Sequence, residues 1–239
     1  MNRSALIALV AAVLVVGGGA AYYFSQQGGD ATLVSDAAGR STPAPEGVPE
    51  PAPVGETVDL QELLTPGAVP DNVLGDPNAP VTVVEYASLT CSHCRNFHDK
   101  TLPEVKSRFI DTGKIKLIYR DFPLDQYATA GAMLARCAGE GKYFPVVDAF
   151  FSKQNELLSA QDPFVWLQGF AKQVGFTQES MEACLSNQGL MDNVLAERQR
   201  ASEKFGVSST PTFFFNGRIK RGDLSIEEFE QELASLPSN

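Results

Sequence analysis

Val81-Thr-Val-Val-Glu-Tyr-Ala-Ser-Leu-Thr-Cys-Ser-His-Cys94 joins a β-branched run to two cysteines three positions apart. The run Val81 to Ala87, bounded by Pro80 and the cysteines, has the length and residue types of a buried strand. Residues 94–110 place Phe97, Leu102, Val105 and Phe109 at helical spacing, with Pro103 as a kink, so a helix follows. Lys114 to Arg120 alternates once more, Ile115, Leu117 and Tyr119 against their neighbours, and predicts a second strand.

A C-x-x-C set between a strand and a helix signifies redox chemistry rather than metal binding. Two cysteines on the first turn of a helix can close a small disulfide. The free amides and positive potential of the helix N-terminus favour a thiolate at Cys91, the attacked and attacking sulfur. His93, between the sulfurs, is expected to add a positive charge or a hydrogen bond to that thiolate, which would make the disulfide a stronger oxidant. Glu85 lies six residues before Cys91 in an otherwise apolar strand. Its carboxylate is expected to be partly buried and able to pass a proton to Cys94, with an exposed edge-strand acid as the plainer alternative. Cys91, Cys94 and His98 have the order of three zinc ligands, but a closed site needs a fourth and the other cysteines lie far along the chain. Haem attachment requires His directly after the second Cys, where this chain has Arg95. No metal and no organic cofactor is expected, a merely structural disulfide is the remaining alternative, and His98 is left without a role.

Downstream, residues 126–204 read as a long helical insertion: Ala128 to Cys137, Phe144 to Lys153, Pro163 to Val174, Gln178 to Ser186 and Met191 to Phe205. Trp166, with Phe164 and Phe170 at helical spacing, reads as core, and Arg120-Asp-Phe-Pro123 as structural. Thr212 to Asn216-Gly217 predicts a strand closed by a turn, Arg218 to Lys220 its hairpin partner, and Ser225-Ile-Glu-Glu the capped start of a last helix. The fold class is therefore α/β: a β-α-β half, a helical insert, and a β-β-α half. If Cys91 pairs with Cys94, one of the three connectivities four cysteines allow, Cys137 and Cys184 are left for each other as a structural disulfide. Two unpaired buried thiols are the alternative.

The 239 residues carry a net charge of −10 and 44% hydrophobic residues, which excludes a wholly disordered chain and argues against nucleic acid as the main partner. The acidity sits mainly in residues 25–77, with nine acids against Arg40 alone. Residues 25–75, Pro-rich from Ser41 to Pro53, read as an extended linker, with one short amphipathic helical turn between Val58 and Leu64 as a weaker possibility. Ala5 to Phe24 is uncharged and long enough, at about 30 Å as a helix, to span a bilayer core. Residues 1–24 are thus a signal or transmembrane anchor. Cleavage after a small-residue site at Gly18 to Ala21 is one reading; the aromatic end Tyr22-Tyr23-Phe24 and the lone Arg3 favour an uncleaved anchor. Either way residues 76–239, the expected folded domain, would be exported, a setting that suits an even cysteine count.

The strand with Glu85, Cys91-Ser-His-Cys94 at a helix start, the helical insert, and Ser209-Thr-Pro-Thr212 before the late strand together resemble the DsbA-like thiol-disulfide oxidoreductases of bacterial periplasms, over residues 73 to 236. The resemblance implies a thioredoxin fold with an inserted helical subdomain. It implies a cis Pro211 facing the active disulfide, with Thr210 before it offering backbone hydrogen bonds to an extended substrate. It implies reduced exported proteins as substrates and reoxidation by a DsbB-like membrane partner, and a monomer is expected. Ser92, where many relatives carry Pro, and His98, where some carry an acid, depart from the pattern and leave the redox direction open. A reductase or isomerase on the same fold, or a non-catalytic protein-binding or chaperone module, are the alternatives to an oxidase.

Overall fold

The computed structural model describes residues 57–237; the apolar segment 5–24 and the linker before Thr57 lie outside the described residues. In chain order the elements are α1 (Leu60–Leu64), β1 (Asn72–Leu74) and β2 (Val81–Ala87), then a long helix α2 over residues 92–110, then β3 (Ile115–Asp121). Six helices follow: α3 (Gln126–Cys137), α4 (Tyr143–Ser152), α5 (Gln154–Leu158), α6 (Pro163–Gln173), α7 (Gln178–Leu185) and α8 (Gln188–Phe205). The chain closes with β4 (Thr212–Phe215), β5 (Arg218–Arg221) and α9 (Ile226–Ala234). Among the described residues no helix is long and apolar enough to cross a membrane.

The sheet order is β1-β3-β2-β4-β5, with β2 and β3 parallel and the other neighbours antiparallel. Central β2 is covered on both sides, which is why its sequence is a nearly unbroken apolar run. Its period of two sends Val83 into a core with Phe97, Val105, Phe213 and Phe229, under α2 and α9. Val84 and Tyr86 face the other way, against Ala201, Phe205 and Phe214 under α8. Glu85 therefore shares the face of Val83, toward α2, between Tyr119 of β3 and Phe213 of β4 in register.

Helix α2 alternates α turns (Ser92–Asn96 and Leu102–Val105) with π turns (Phe97–Thr101 and Lys106–Ile110). Pro103 supplies no N–H and its ring crowds the carbonyl four residues back; widening to a π turn just before it relieves both, so the expected kink is a change of helix type. Asn216 and Gly217 both take positive φ, 46° and 92°, as a two-residue hairpin turn needs, and a Cβ at Gly217 would lie 2.6 Å from the Val58 carbonyl. Ser225 and Glu228 form the reciprocal cap expected at α9.

Three expectations are corrected. The folded part begins before Asp76: Asp59 caps α1, Leu63 is fully buried beside Val84 and Tyr86, and β1 pairs with the edge of β3. The helical turn that the sequence allowed between Val58 and Leu64 is thus present and docked, whereas the three-residue β1 carries too little periodicity to be read locally and is made by tertiary packing. The insertion contains the extra short helix α5, and α8 starts at Gln188, capped by Asn187. Phe164 is 55% exposed rather than core, lining a groove with Leu124, Met133 and Leu195, whereas Trp166 stacks on Phe170 at 5.2 Å. Arg120 is buried and structural: it donates to both Asp71 oxygens and to the Tyr86 hydroxyl. Cys137 and Cys184 are bonded to each other, joining α3 to α7.

Candidate active site

Beyond Ala87 the chain leaves the sheet and enters α2 through Ser88-Leu89-Thr90, and three contacts fix that passage. The Cys91 N–H donates to the Ser88 carbonyl at 3.0 Å. The Thr90 hydroxyl donates to Asp125, the cap of α3, at 2.6 Å. The fully buried Gln154 donates its amide to the carbonyls of Leu89, 2.7 Å, and Cys91, 3.0 Å. Gln154 lies between Lys153 and Asn155 and nothing local marks it as a clamp on a loop more than sixty residues away.

Cys91 is the N-cap of α2 and half-buried; Cys94, one turn in, is fully buried, and both are free thiols. The Cys91 thiol donates to the Thr210 carbonyl at 3.2 Å, and the Thr210-Pro211 bond is cis. The Cys91 thiol is lowered to about 5, chiefly by a hydrogen bond from Cys94, with help from the Thr210 side chain and the backbone N–H groups of Cys94 and His93, against the opposing effect of burial. At pH 7 that sulfur is a thiolate by roughly a hundred to one. Burial, the Cys91 sulfur and then the Glu85 charge push Cys94 well above an ordinary thiol. One sulfur is thus ready to carry charge and the other resists it.

Of the two contributions expected of His93, the hydrogen bond from its ring to the Cys91 sulfur is not made. Its ring is 64% exposed and its Nδ1 lies 2.8 Å from Asp223, which also accepts from Asn96 at 3.2 Å. Only the His93 backbone N–H serves the Cys91 sulfur. Asp223, 130 positions away, follows β5 and was not singled out.

Behind the cysteines, Glu85 is fully buried rather than partly so, and it is not an edge residue. Its Oε2 lies 3.2 Å from Nε2 of His98, whose side chain is 2% exposed, while its Oε1 has no partner. His98, assigned no role from sequence, stands one turn after Cys94 on the same face of α2. Burial lowers its basicity, but the charge of Glu85 and the nearby Asp148 prevail and raise it to about 9. The signal for this pair was present: period two turns Glu85 toward α2, and i, i+4 spacing turns His98 with Cys94. The structure therefore brings together Cys91, Cys94, Thr210, Pro211 and Glu85, adds His98 and Gln154, and leaves the His93 ring aside. Among the described residues no three His, Cys, Asp or Glu side chains are grouped so as to hold a metal ion.

The family model described as thioredoxin matches residues 68–234. A Rickettsia felis protein named as a protein-disulfide oxidoreductase is 30% identical over 164 residues, 66% of this chain and 56% of that one. The chain thus spans little more than half the length of the curated relatives it matches. The crystal structure of α-DsbA1 from Wolbachia pipientis superposes with a TM-score of 0.66 at 33% identity, over 73% of this chain and 94% of that one. BdbD from Bacillus subtilis, at 22% identity and a TM-score of 0.58 over 69% of this chain and 94% of that one, shares the fold.

Proposed function

The chain belongs to the DsbA-like branch of the thioredoxin family, and we propose that it is a thiol-disulfide oxidoreductase that donates its Cys91–Cys94 disulfide to reduced proteins outside the cytoplasm. The observation that carries this reading is the placement of Cys91 at the N-cap of α2 against the cis Thr210-Pro211 segment, with Cys94 fully buried one turn in; the lowered Cys91 thiol agrees with it. A substrate thiolate attacks the Cys91 sulfur and the Cys94 sulfur leaves, giving a mixed disulfide and reduced Cys94. A second substrate thiolate attacks the substrate's own sulfur in that bond, and Cys91 departs as a thiolate. Every interaction that favours the Cys91 thiolate favours the reduced enzyme and hence donation of the disulfide. Thr210 and Pro211 form the wall against which an extended substrate segment would lie, and Glu85 would exchange a proton with Cys94.

The apolar segment 5–24 supports a tether to the inner membrane with the domain in the periplasm; removal of the segment would give a soluble periplasmic protein. A DsbB-like membrane protein would reoxidise the cysteines, the chain would act as a monomer, and the exchange chemistry calls for neither metal nor organic cofactor. The test is oxidative refolding of a reduced, unfolded disulfide protein. The oxidised chain should form its disulfides stoichiometrically and emerge reduced at Cys91 and Cys94. A chain that leaves the client's thiols untouched, or that instead reduces native disulfides, would overturn the reading.

A further inference from the structure

On the reading just given, breaking the Cys91–Cys94 bond releases a sulfur in the wrong place for a charge. Cys94 has no exposed surface, and burial, the Cys91 sulfur and Glu85 all disfavour its thiolate. A substrate bound over Cys91 would also cover the outer approach. The proton that Cys94 needs must come from inside the fold.

The groups behind it are arranged for that task. Glu85 holds His98 by Oε2 and leaves Oε1 buried and unpartnered. The other nitrogen of His98, Nδ1, is also buried without a hydrogen bond, and it points toward Asp148 of α4, whose Oδ1 is 3.9 Å away. That distance is within ion-pair range and longer than a hydrogen bond. Asp148 is largely exposed. A surface pocket of about 270 Å³ lies there, lined by His98, Asp148, Asp99, Lys106, Pro103 and Phe151. Cys94 feels the charge of Glu85, Glu85 holds His98, and His98 borders the pocket beside the exposed Asp148, which connects the buried sulfur with solvent behind α2. The π turn that Pro103 imposes is the segment that carries His98.

We propose that His98 is the proton store for Cys94, exchanging its proton with that sulfur through Glu85 and with solvent through the pocket beside Asp148. When the substrate thiolate opens the disulfide, Cys94 leaves as a thiolate; Glu85 takes the proton of the His98 cation and hands it to the Cys94 sulfur. Thiolate and imidazolium become thiol and imidazole, with no net change of charge. The neutral ring then recovers a proton from water in the pocket. On reoxidation Cys94 surrenders its proton by the same route. His98 acts through Glu85 and is a positioning and proton-holding residue, not one that touches the reacting sulfur. The titratable groups facing it are Glu85 from β2, Tyr119 from β3 and Asp148 from α4, while Asp99 and Lys106 of its own helix line the same pocket and Cys94 lies one turn before it. The cation persists because Glu85 and Asp148 outweigh burial.

The experiment is rapid mixing of the oxidised full chain with reduced glutathione, with the rate expressed per glutathione thiolate across pH 6 to 10. Wild type should be flat to about pH 8 and fall as His98 loses its proton near 9. His98→Gln, which retains a hydrogen bond but no titrating proton, should be slowed by at least about tenfold, the modest end of a lost proton donor, with the falling limb gone. His98→Ala should be partly restored by added imidazole. Asp148→Asn, at an exposed position that leaves the fold intact, should move the limb to lower pH. In each variant Cys91 absorbance should still titrate near 5, which a distorted site would not allow. Wild-type rate and limb in His98→Gln, or an unmoved limb in Asp148→Asn, would overturn the proposal alone. A wild-type chain that does not exchange with glutathione would overturn the oxidoreductase reading as well.

Discussion

His93 lies between the two cysteines in sequence and turns away from both in space, its Nδ1 2.8 Å from Asp223. The stabilisation of the Cys91 thiolate is therefore built from the Cys94 thiol, Thr210 and backbone N–H groups, which no side-chain substitution at position 93 removes. The Asp223 carboxyl, which burial alone would raise, is held below its ordinary value by Asn96, its own backbone N–H and His93.

His93→Ala should accordingly move the Cys91 titration by less than about one unit, within the ordinary scatter of thiols in similar surroundings. Thiolate absorbance against pH in the reduced protein checks this. A rise of several units would show that the ring reaches the sulfur in solution.

The low Cys91 value makes a signed prediction about pH. A thiol near 5 in the folded state and near 9 unfolded stabilises the reduced fold fully above pH 9, progressively less toward 5, and not at all below 5. Unfolding of reduced and oxidised protein, compared from pH 4 to 9, should show the difference moving in favour of the reduced form as pH rises. Between about pH 5 and 9 the ratio of unfolding constants should change by roughly tenfold per unit.

Glu85→Leu should be severe, because it leaves a buried His98 cation without its partner. A loss of about 3 to 5 kcal/mol is expected for breaking one side of a buried pair, while the double replacement Glu85→Leu with His98→Leu should recover much of it. Urea unfolding at pH 7 measures both. The wild-type pair also has its own pH signature. His98 is raised from 6.5 to about 9, so its contribution is complete below 6.5 and disappears as pH passes 9.

Cys137→Ala with Cys184→Ala should lower stability by up to about 4 kcal/mol, the chain-entropy value for a loop of this length. The thiol exchange rate should be unchanged, since that bond joins α3 to α7 and reaches neither Cys91 nor Cys94. Thermal melts and glutathione kinetics on the same variant separate the two effects.

What was legible in the sequence is what local rules write. The β-branched run before Cys91, the C-x-x-C at a helix start, Asn216-Gly217, and Ser225 with Glu228 each carry their structure within a few residues. Pro103 announced a disturbance but not its form, since a kink and a π turn answer the same missing N–H. Between residues 57 and 75 only the helical turn at Leu60–Leu64 had a local signal, too short to outweigh the linker reading, and β1 had none because it acquires structure only by pairing with β3. The partner of His93 is not legible locally, because its ring bonds to Asp223, 130 residues on, rather than to the sulfurs that flank it in sequence. His98 was readable but unread: its pairing required combining the period of a strand with that of a helix.

The equilibrium of the full chain with reduced and oxidised glutathione, read as the fraction of Cys91–Cys94 disulfide, gives the potential on which the oxidase reading stands. A value near the about −120 mV of a strong disulfide donor is expected from a Cys91 thiolate this well stabilised. A value near the about −270 mV of a reducing thioredoxin, with Cys91 titrating as an ordinary thiol, would contradict it.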